Sequence, residues 1–132
     1  MDQITIHIET QVNPTESEEK VRKAIENLFG NLKINVESIY RGVKISSESK
    51  SLEILAKFQN LLRREHIRAA ARTVFFGGTR DKNLTFCLNK QVAYVGHISF
   101  ANEEAESPLG PIKIKIHCNN PREVINWLTA GA

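Results

Sequence analysis

The chain has little sulfur, no long apolar run and few aromatics, and each shortage closes off a class of function. Two cysteines stand in 132 residues, Cys87 within LTFCL and Cys118 directly after IKIKIH, and neither belongs to a CxxC or a Cys/His ligand spacing. They read as packing thiols of strand-like segments rather than as metal ligands or nucleophiles. No segment approaches the ~20 consecutive apolar residues that span a bilayer. No positively charged start leads into an apolar stretch, so a soluble cytoplasmic protein without a membrane partner is expected. Gly77-Gly78 is not followed by the GK of a phosphate loop, and no nucleophile elbow, Cys/His pair or dinucleotide fingerprint occurs. The expectation is a non-enzyme with no cofactor. Strand faces lack the paired aromatics with which an RRM stacks bases, and no GxxG loop marks a KH domain.

What is present is an uneven spread of charge. The length suits one domain, residues 1–132, whose core needs neither disulfide nor metal. Formal net charge is +3, but the third from Lys57 to Lys90 holds eight basic residues against two acidic ones, a net +6. The remaining 10 basic and 13 acidic residues net −3. Such asymmetry points to a polyanionic partner.

Apolar periodicity supplies the elements. Ile4, Ile6 and Ile8 alternate with Thr5, His7 and Glu9, a half-buried strand. Thr15 with Glu18 three residues on is a capping-box signature, and Val21, Ala24, Ile25, Leu28 and Phe29 then form one helical face that Gly30 is placed to end. Glu16, Glu18 and Glu19 fall in or near the first turn, where the helix dipole accounts for them without a catalytic role. Residues 33–41 read as a second strand, Arg41-Gly42 as a turn or bulge, and SSESKS at 46–51 as a loop whose Ser49 or Ser51 caps the next helix. Leu52, Leu55, Phe58 and Leu62 are that helix's buried stripe. A break near Glu65-His66 precedes a second stripe of Ile67, Ala70, Ala71 and Val74, and Phe75-Phe76 ends it in the core. Residues 77–83 then read as an exposed loop.

Arg64, Arg68 and Arg72 recur every four residues, so on a continuous helix they stack on one face. Like charges at that spacing destabilise a helix by a few tenths of a kcal/mol per pair, so something must compensate. Phosphate groups would, because the guanidinium fork suits their oxygens. So would Glu65 and carboxylates elsewhere in the fold. Arg63, Arg80 and Lys82 extend the same basic third.

Leu84, Phe86 and Leu88 alternate with Thr85, Cys87 and Asn89, a strand that Asn89-Lys90-Gln91 interrupts as a turn. Asn89 and Gln91 have the donors and acceptors to satisfy backbone there. Lys90 has donors only, and is either a solvated turn residue or a phosphate contact. Val92, Tyr94, Ile98 and Phe100 share one parity around Gly96, which suggests a bulged strand. After an acidic loop, ANEEAES, Pro108-Leu109-Gly110-Pro111 sets a rigid turn into a strand where Ile112, Ile114 and Ile116 alternate with Lys113, Lys115 and His117. Asn120, Pro121 and an apolar face of Val124, Ile125 and Leu128 beside Trp127 make the last helix, with Gly131 to end it. A shared sheet face would bring His7, His97 and His117 together, yet no acidic partner supports a metal triad, and they read as ordinary sheet histidines.

LNKQVAYVGHISF at 88–100 and PLGPI at 108–112, with the NPTE helix start and the AAAR segment ending at Arg72, resemble the archaeal uncharacterised protein family 0201, an RNA-binding-domain family. Val92 stands where that family usually has alanine. The resemblance implies a fold similar to the large-subunit ribosomal protein that holds 5S ribosomal RNA, a homodimer, and RNA contact by analogy.

Composition, pattern and resemblance together predict an α+β domain, an antiparallel sheet of about five strands with helices packed mainly on one face. The expected function is RNA association in translation or RNA processing, through backbone and shape, with Arg63, Arg64, Arg68, Arg72, Arg80, Lys82 and Lys90 as contacts. The alternative is a dimeric structural or protein-interaction module.

Overall fold

In a computed structural model, which describes residues 3–101 and 110–130, the period-two runs become the sheet and the period-3.6 stripes become its cover. The elements, in order, are β1 (Ile4–Val12), α1 (Glu18–Phe29), β2 (Asn35–Ile39), β3 (Gly42–Ser49), a 3-10 turn (Leu52–Leu55), α2 (Ala56–Arg64), α3 (Arg68–Gly77), β4 (Thr79–Arg80), β5 (Asn83–Leu88), α4 (Lys90–Tyr94), β6 (Phe100–Ala101), β7 (Ile112–Cys118) and α5 (Pro121–Leu128). All strand pairs are antiparallel, in the order β2-β3-β1-β7-β5-β4, with β6 also pairing with β5. The described residues thus hold seven strands rather than about five, the additions being β3 and the two-residue β4, while the two-residue β6 is what remains of the strand expected through Val92 to Phe100.

The register fixes two faces. Ile4, Ile6 and Ile8 of β1 lie beside Cys118, Ile116 and Ile114 of β7, which in turn face Leu84 and Phe86 of β5. This row set is buried beneath the helices, together with Phe58, Leu62, Phe75, Val124 and Ile125. Phe29, Phe58, Phe86 and Phe75 stack through the layer at centroid distances of 5.4, 5.7 and 4.7 Å, tying α1, α2, β5 and α3 into one core. Burying each such ring contributes roughly 1.5–3 kcal/mol. The opposite parity, Thr5, His7 and Glu9 of β1 with Lys113, Lys115 and His117 of β7, forms the open face.

Local chemistry moves several boundaries. The first helix is capped by Ser17, whose hydroxyl accepts from Lys20 N–H at 3.4 Å, not by Thr15. Glu16 instead accepts from the Asn13 N–H and side-chain amide at 3.0 and 2.8 Å, closing the preceding turn. Residues 46–49, read as loop, are strand: Ser46 and Ser47 pair with Glu9 and Ile8 because Ile45 and Ser47 point into the core. Ser51 caps the 3-10 turn. The break at Glu65-His66 is present, with His66 at φ 57°. Phe75 is buried, whereas Phe76 lies on the surface, so only the first of the pair enters the core. Residues 79–83 are exposed at their tip as expected but form a hairpin rather than a loop, since Thr79 pairs with Leu84 and Arg80 with Asn83.

The largest departure follows β5. Asn89 caps a short helix, α4, by accepting from Val92 N–H at 3.0 Å, so residues 90–94 are not a turn into a bulged strand. Gly96, at φ 88°, turns the chain out of that helix, the left-handed geometry that glycine tolerates without a Cβ clash. The acidic loop, Pro108-Leu109 and Gly131 lie outside the described residues. Asn120 precedes α5 with Pro121 in its first turn, although the Asn120 side chain makes no capping hydrogen bond.

Candidate nucleic-acid interface

The helical arginines do not form one ladder. Arg63 and Arg64 end α2 and are exposed, while the left-handed turn at His66 redirects the chain before Arg68 and Arg72 enter α3. Both of the latter are bound to the last helix or to the residues that directly follow it. Arg68 Nη1 donates to the Ala130 carbonyl at 2.7 Å. Arg72 Nη1 donates to Asn126 Oδ1 at 2.8 Å and Thr129 Oγ1 at 3.2 Å, and its guanidinium lies 4.9 Å from the Phe76 ring centre. Their charge is not neutralised by these neutral acceptors. Glu65, the expected counter-charge, is engaged elsewhere: it accepts from Ile98 N–H at 3.1 Å and lies 3.2 Å from His97 Nδ1.

Lys90 is not a surface cation. Its position at the start of α4 turns the side chain inward, where it is 5% exposed. Nζ donates to the Gln11 carbonyl at 2.7 Å and to Glu16 Oε1 and Oε2 at 2.9 and 3.1 Å. Burial by itself would raise the Glu16 carboxyl, but the Asn13 backbone N–H, the Lys90 ammonium and the Asn13 amide outweigh it and hold the carboxyl below its ordinary value. A sealed ammonium with these acceptors cannot reach a phosphate on the surface. Lys90 therefore leaves the set of candidate contacts.

The open face divides by charge. Its β3–β1 half holds Glu9, which pairs with Lys44 at 3.0 Å, and Glu48, which lies 3.5 Å from His7 Nε2. Across the register from there, the rows run through Lys113 to Cys87, through Lys115 to Thr85, and through His117 and Asn83 to Arg80. No carboxylate occurs in these positions of β7, β5 and β4. A tight turn makes this possible: Asp81 adopts φ 55°, which a short polar side chain tolerates, and Cys118 N–H donates to the Lys82 carbonyl at 3.0 Å, pinning the hairpin to β7. Gly78 packs so closely on β5 that a Cβ there would meet the Thr85 carbonyl.

Between the short strands β4 and β6, which leave part of the outer edge of β5 uncovered, lies a concavity of about 510 Å³. Arg80, Lys113 and Lys115 line it, with Thr85 and Gly78. Of these cations, only Arg80 belongs to the expected set. Lys113 and Lys115 lie outside the basic third, and the signal that marks them is the IKIKIH alternation, which puts both on one wet face beside β5. Lys82, exposed at the hairpin tip, stands next to the group.

The histidines remain apart in function: His117 Nδ1 is 3.0 Å from Asn83 Oδ1, and His7 and His97 have the separate carboxylate partners named above. Among the described residues, no three His, Cys, Asp or Glu side chains are grouped to hold a metal ion. Both cysteines are buried and unbridged. Burial raises the Cys118 thiol, partly offset by a hydrogen bond to the Asn120 backbone and reinforced by Glu123, which disfavours the reactive thiolate. No described helix is long and apolar enough to cross a membrane.

Comparison with known proteins identifies the family. A family model described as RNA binding matches residues 5–118. The UPF0201 protein of Sulfurisphaera tokodaii is 47% identical over 126 residues, covering 94% of this chain and 86% of that one. That of Aeropyrum pernix is 39% identical over 126 residues, covering 95% and 84%. The crystal structure of the UPF0201 protein from Methanococcus jannaschii superimposes with a TM-score of 0.83 at 32% identity, covering 95% of this chain and 98% of that one. The chain belongs to the archaeal UPF0201 family, whose fold it shares and which the RNA-binding model spans from the first strand to the last.

Proposed function

We propose that this protein binds RNA by holding the sugar-phosphate backbone against the β4 edge of its open sheet face, with Arg80, Lys82, Lys113 and Lys115 as the contacts. Arg63, Arg64, Arg68 and Arg72 form a second group of cations on the helical side. The observation that carries the reading is the convergence of Arg80, Lys113 and Lys115 on one concavity in the half of the face whose strands present no carboxylate. Such a surface suits phosphate oxygens and the shape of a structured RNA. That face offers no aromatic side chain for stacking, so its binding is sensitive to salt and weakly dependent on sequence. Translation or RNA processing in the cytoplasm is the setting we assign to this activity, without catalysis. Titration of a fluorescent RNA hairpin at low salt tests it. Arg80→Ala with Lys115→Ala weakens binding at unchanged thermal stability; a hairpin bound equally well by that pair of variants overturns the interface.

A second reading concerns assembly. β2 is the outer strand of the sheet and is exposed along its length, with Val36 44% and the adjoining Tyr40 88% exposed. An open edge of this kind templates strand pairing. A second copy of the chain joining there would make a homodimer, and sedimentation equilibrium of the wild type against Val36→Pro tests that arrangement.

A further inference from the structure

On the helical side of the molecule, the beginning of α1 and the short α4 flank an open cavity of about 420 Å³, at the small end of the range for sites that take organic ligands. Its apolar part is Val21 and Ala24 on the buried face of α1. Its wall is the Tyr94 ring, 41% exposed, with Lys20 Nζ 5.7 Å from the ring centre. The backbone that carries the ring is tied to α1, because Asn27 Nδ2 donates to the carbonyls of Ala93 and Tyr94 at 3.0 and 2.9 Å. At the rim, the Gln91 carboxamide and the Thr15 hydroxyl make no side-chain hydrogen bond among the described residues.

These parts specify a ligand. A flat aromatic surface beside an apolar floor accepts a planar ring, a carboxamide reads paired donors and acceptors on that ring's edge, and an ammonium poised over the face takes an anion attached to it. We propose that this cavity binds one unstacked nucleobase with its 5′-phosphate: the base lies on Tyr94, its edge meets Gln91 and Thr15, and Lys20 moves from the ring to the phosphate. Base stacking on aromatic side chains tolerates any base, so selectivity between bases falls to Gln91. The proposal deepens the RNA reading and, for RNA as the source of the base, rests on it. The sheet face then holds backbone while this cavity takes a base from an unpaired segment.

Amide chemical-shift mapping with AMP, UMP, ribose 5-phosphate and an eight-nucleotide single-stranded RNA tests it. AMP and UMP shift the amides of Ala24, Gln91 and Tyr94, whereas ribose 5-phosphate does not. Tyr94→Ala lowers the affinity for AMP by about tenfold or more, and Tyr94→Phe retains it. Lys20→Ala weakens AMP and leaves adenosine unaffected. Tighter binding of the octanucleotide than of AMP identifies RNA as the source of the base, and the reverse order identifies a free nucleotide; both uphold the site. Equal shifts with ribose 5-phosphate, or no shift at these amides with either AMP or the octanucleotide, overturn it. The mononucleotides do not depend on the sheet face, so in Arg80→Ala with Lys115→Ala the AMP shifts persist even if the hairpin experiment fails.

Discussion

Lys90 Nζ lies 2.9 Å from Glu16 Oε1, and the two side chains are 4% and 11% exposed. This one pair joins the start of α4 to the turn before α1, and the bond from Nζ to the Gln11 carbonyl adds the end of β1. Taking two charges out of water is unfavourable, and attraction and hydrogen bonds together must offset it. Glu16→Gln leaves the ammonium buried without its counter-charge. It therefore destabilises the fold by about 3–5 kcal/mol in urea unfolding. Glu16→Leu with Lys90→Met removes both charges and recovers much of that loss.

The same pair sets a pH dependence. The Glu16 carboxyl titrates lower in the folded chain than its ordinary 4.5, so the unfolded chain binds more protons in that range and stability rises with pH there. Its contribution is fully present above pH 4.5 and is lost as the pH falls through the lowered folded value. Urea midpoints from pH 6 down to pH 3 show a decline that is shallower in Glu16→Gln than in the wild type. Equal slopes in the two proteins would exclude Glu16 as the titrating group.

Arg72 and Arg63 separate a structural arginine from a surface one. Arg72→Ala loses two hydrogen bonds to α5 and the Phe76 ring contact, a destabilisation of about 1–3 kcal/mol. Arg63→Ala, at an exposed position of α2, changes stability by less than about 0.5 kcal/mol. Thermal unfolding of the two variants checks the order.

Gly78→Ala tests the construction of the β4 edge. A Cβ there meets the Thr85 carbonyl, so β4 must move off β5 and break the bond from Thr85 N–H to the Gly78 carbonyl, now 3.0 Å. About 1–3 kcal/mol of stability is lost, and RNA affinity falls with it because Arg80 is displaced. Circular dichroism melts and hairpin titrations read the two effects separately.

Elements with a strict period were legible in the sequence. The isoleucines of β1 and β7 and the stripes of α1 and α5 appear where their alternation puts them, because one-sided burial admits only one register. Elements set by partners were not. β3 carries three serines, and only pairing with β1 and β2 makes a strand of it. α4 follows a strand pattern through Tyr94, but the Asn89 cap and the inward ion pair of Lys90 favour a helical turn. Charge density along the chain picked out Arg80 and Lys82 but not Lys113 and Lys115, which come from a distant segment and meet Arg80 only through the β4-β5-β7 register.

The most direct test of the RNA interface is the salt dependence of hairpin affinity from 50 to 200 mM. For wild type, log affinity falls linearly with log salt, and each phosphate contact contributes a slope of about 0.7–0.9. Arg80→Ala and Lys115→Ala each reduce the slope by about one contact, and Lys90→Met, once shown to be folded, leaves it unchanged. An identical slope in wild type and the Arg80→Ala, Lys115→Ala double variant would contradict an RNA backbone lying on this face.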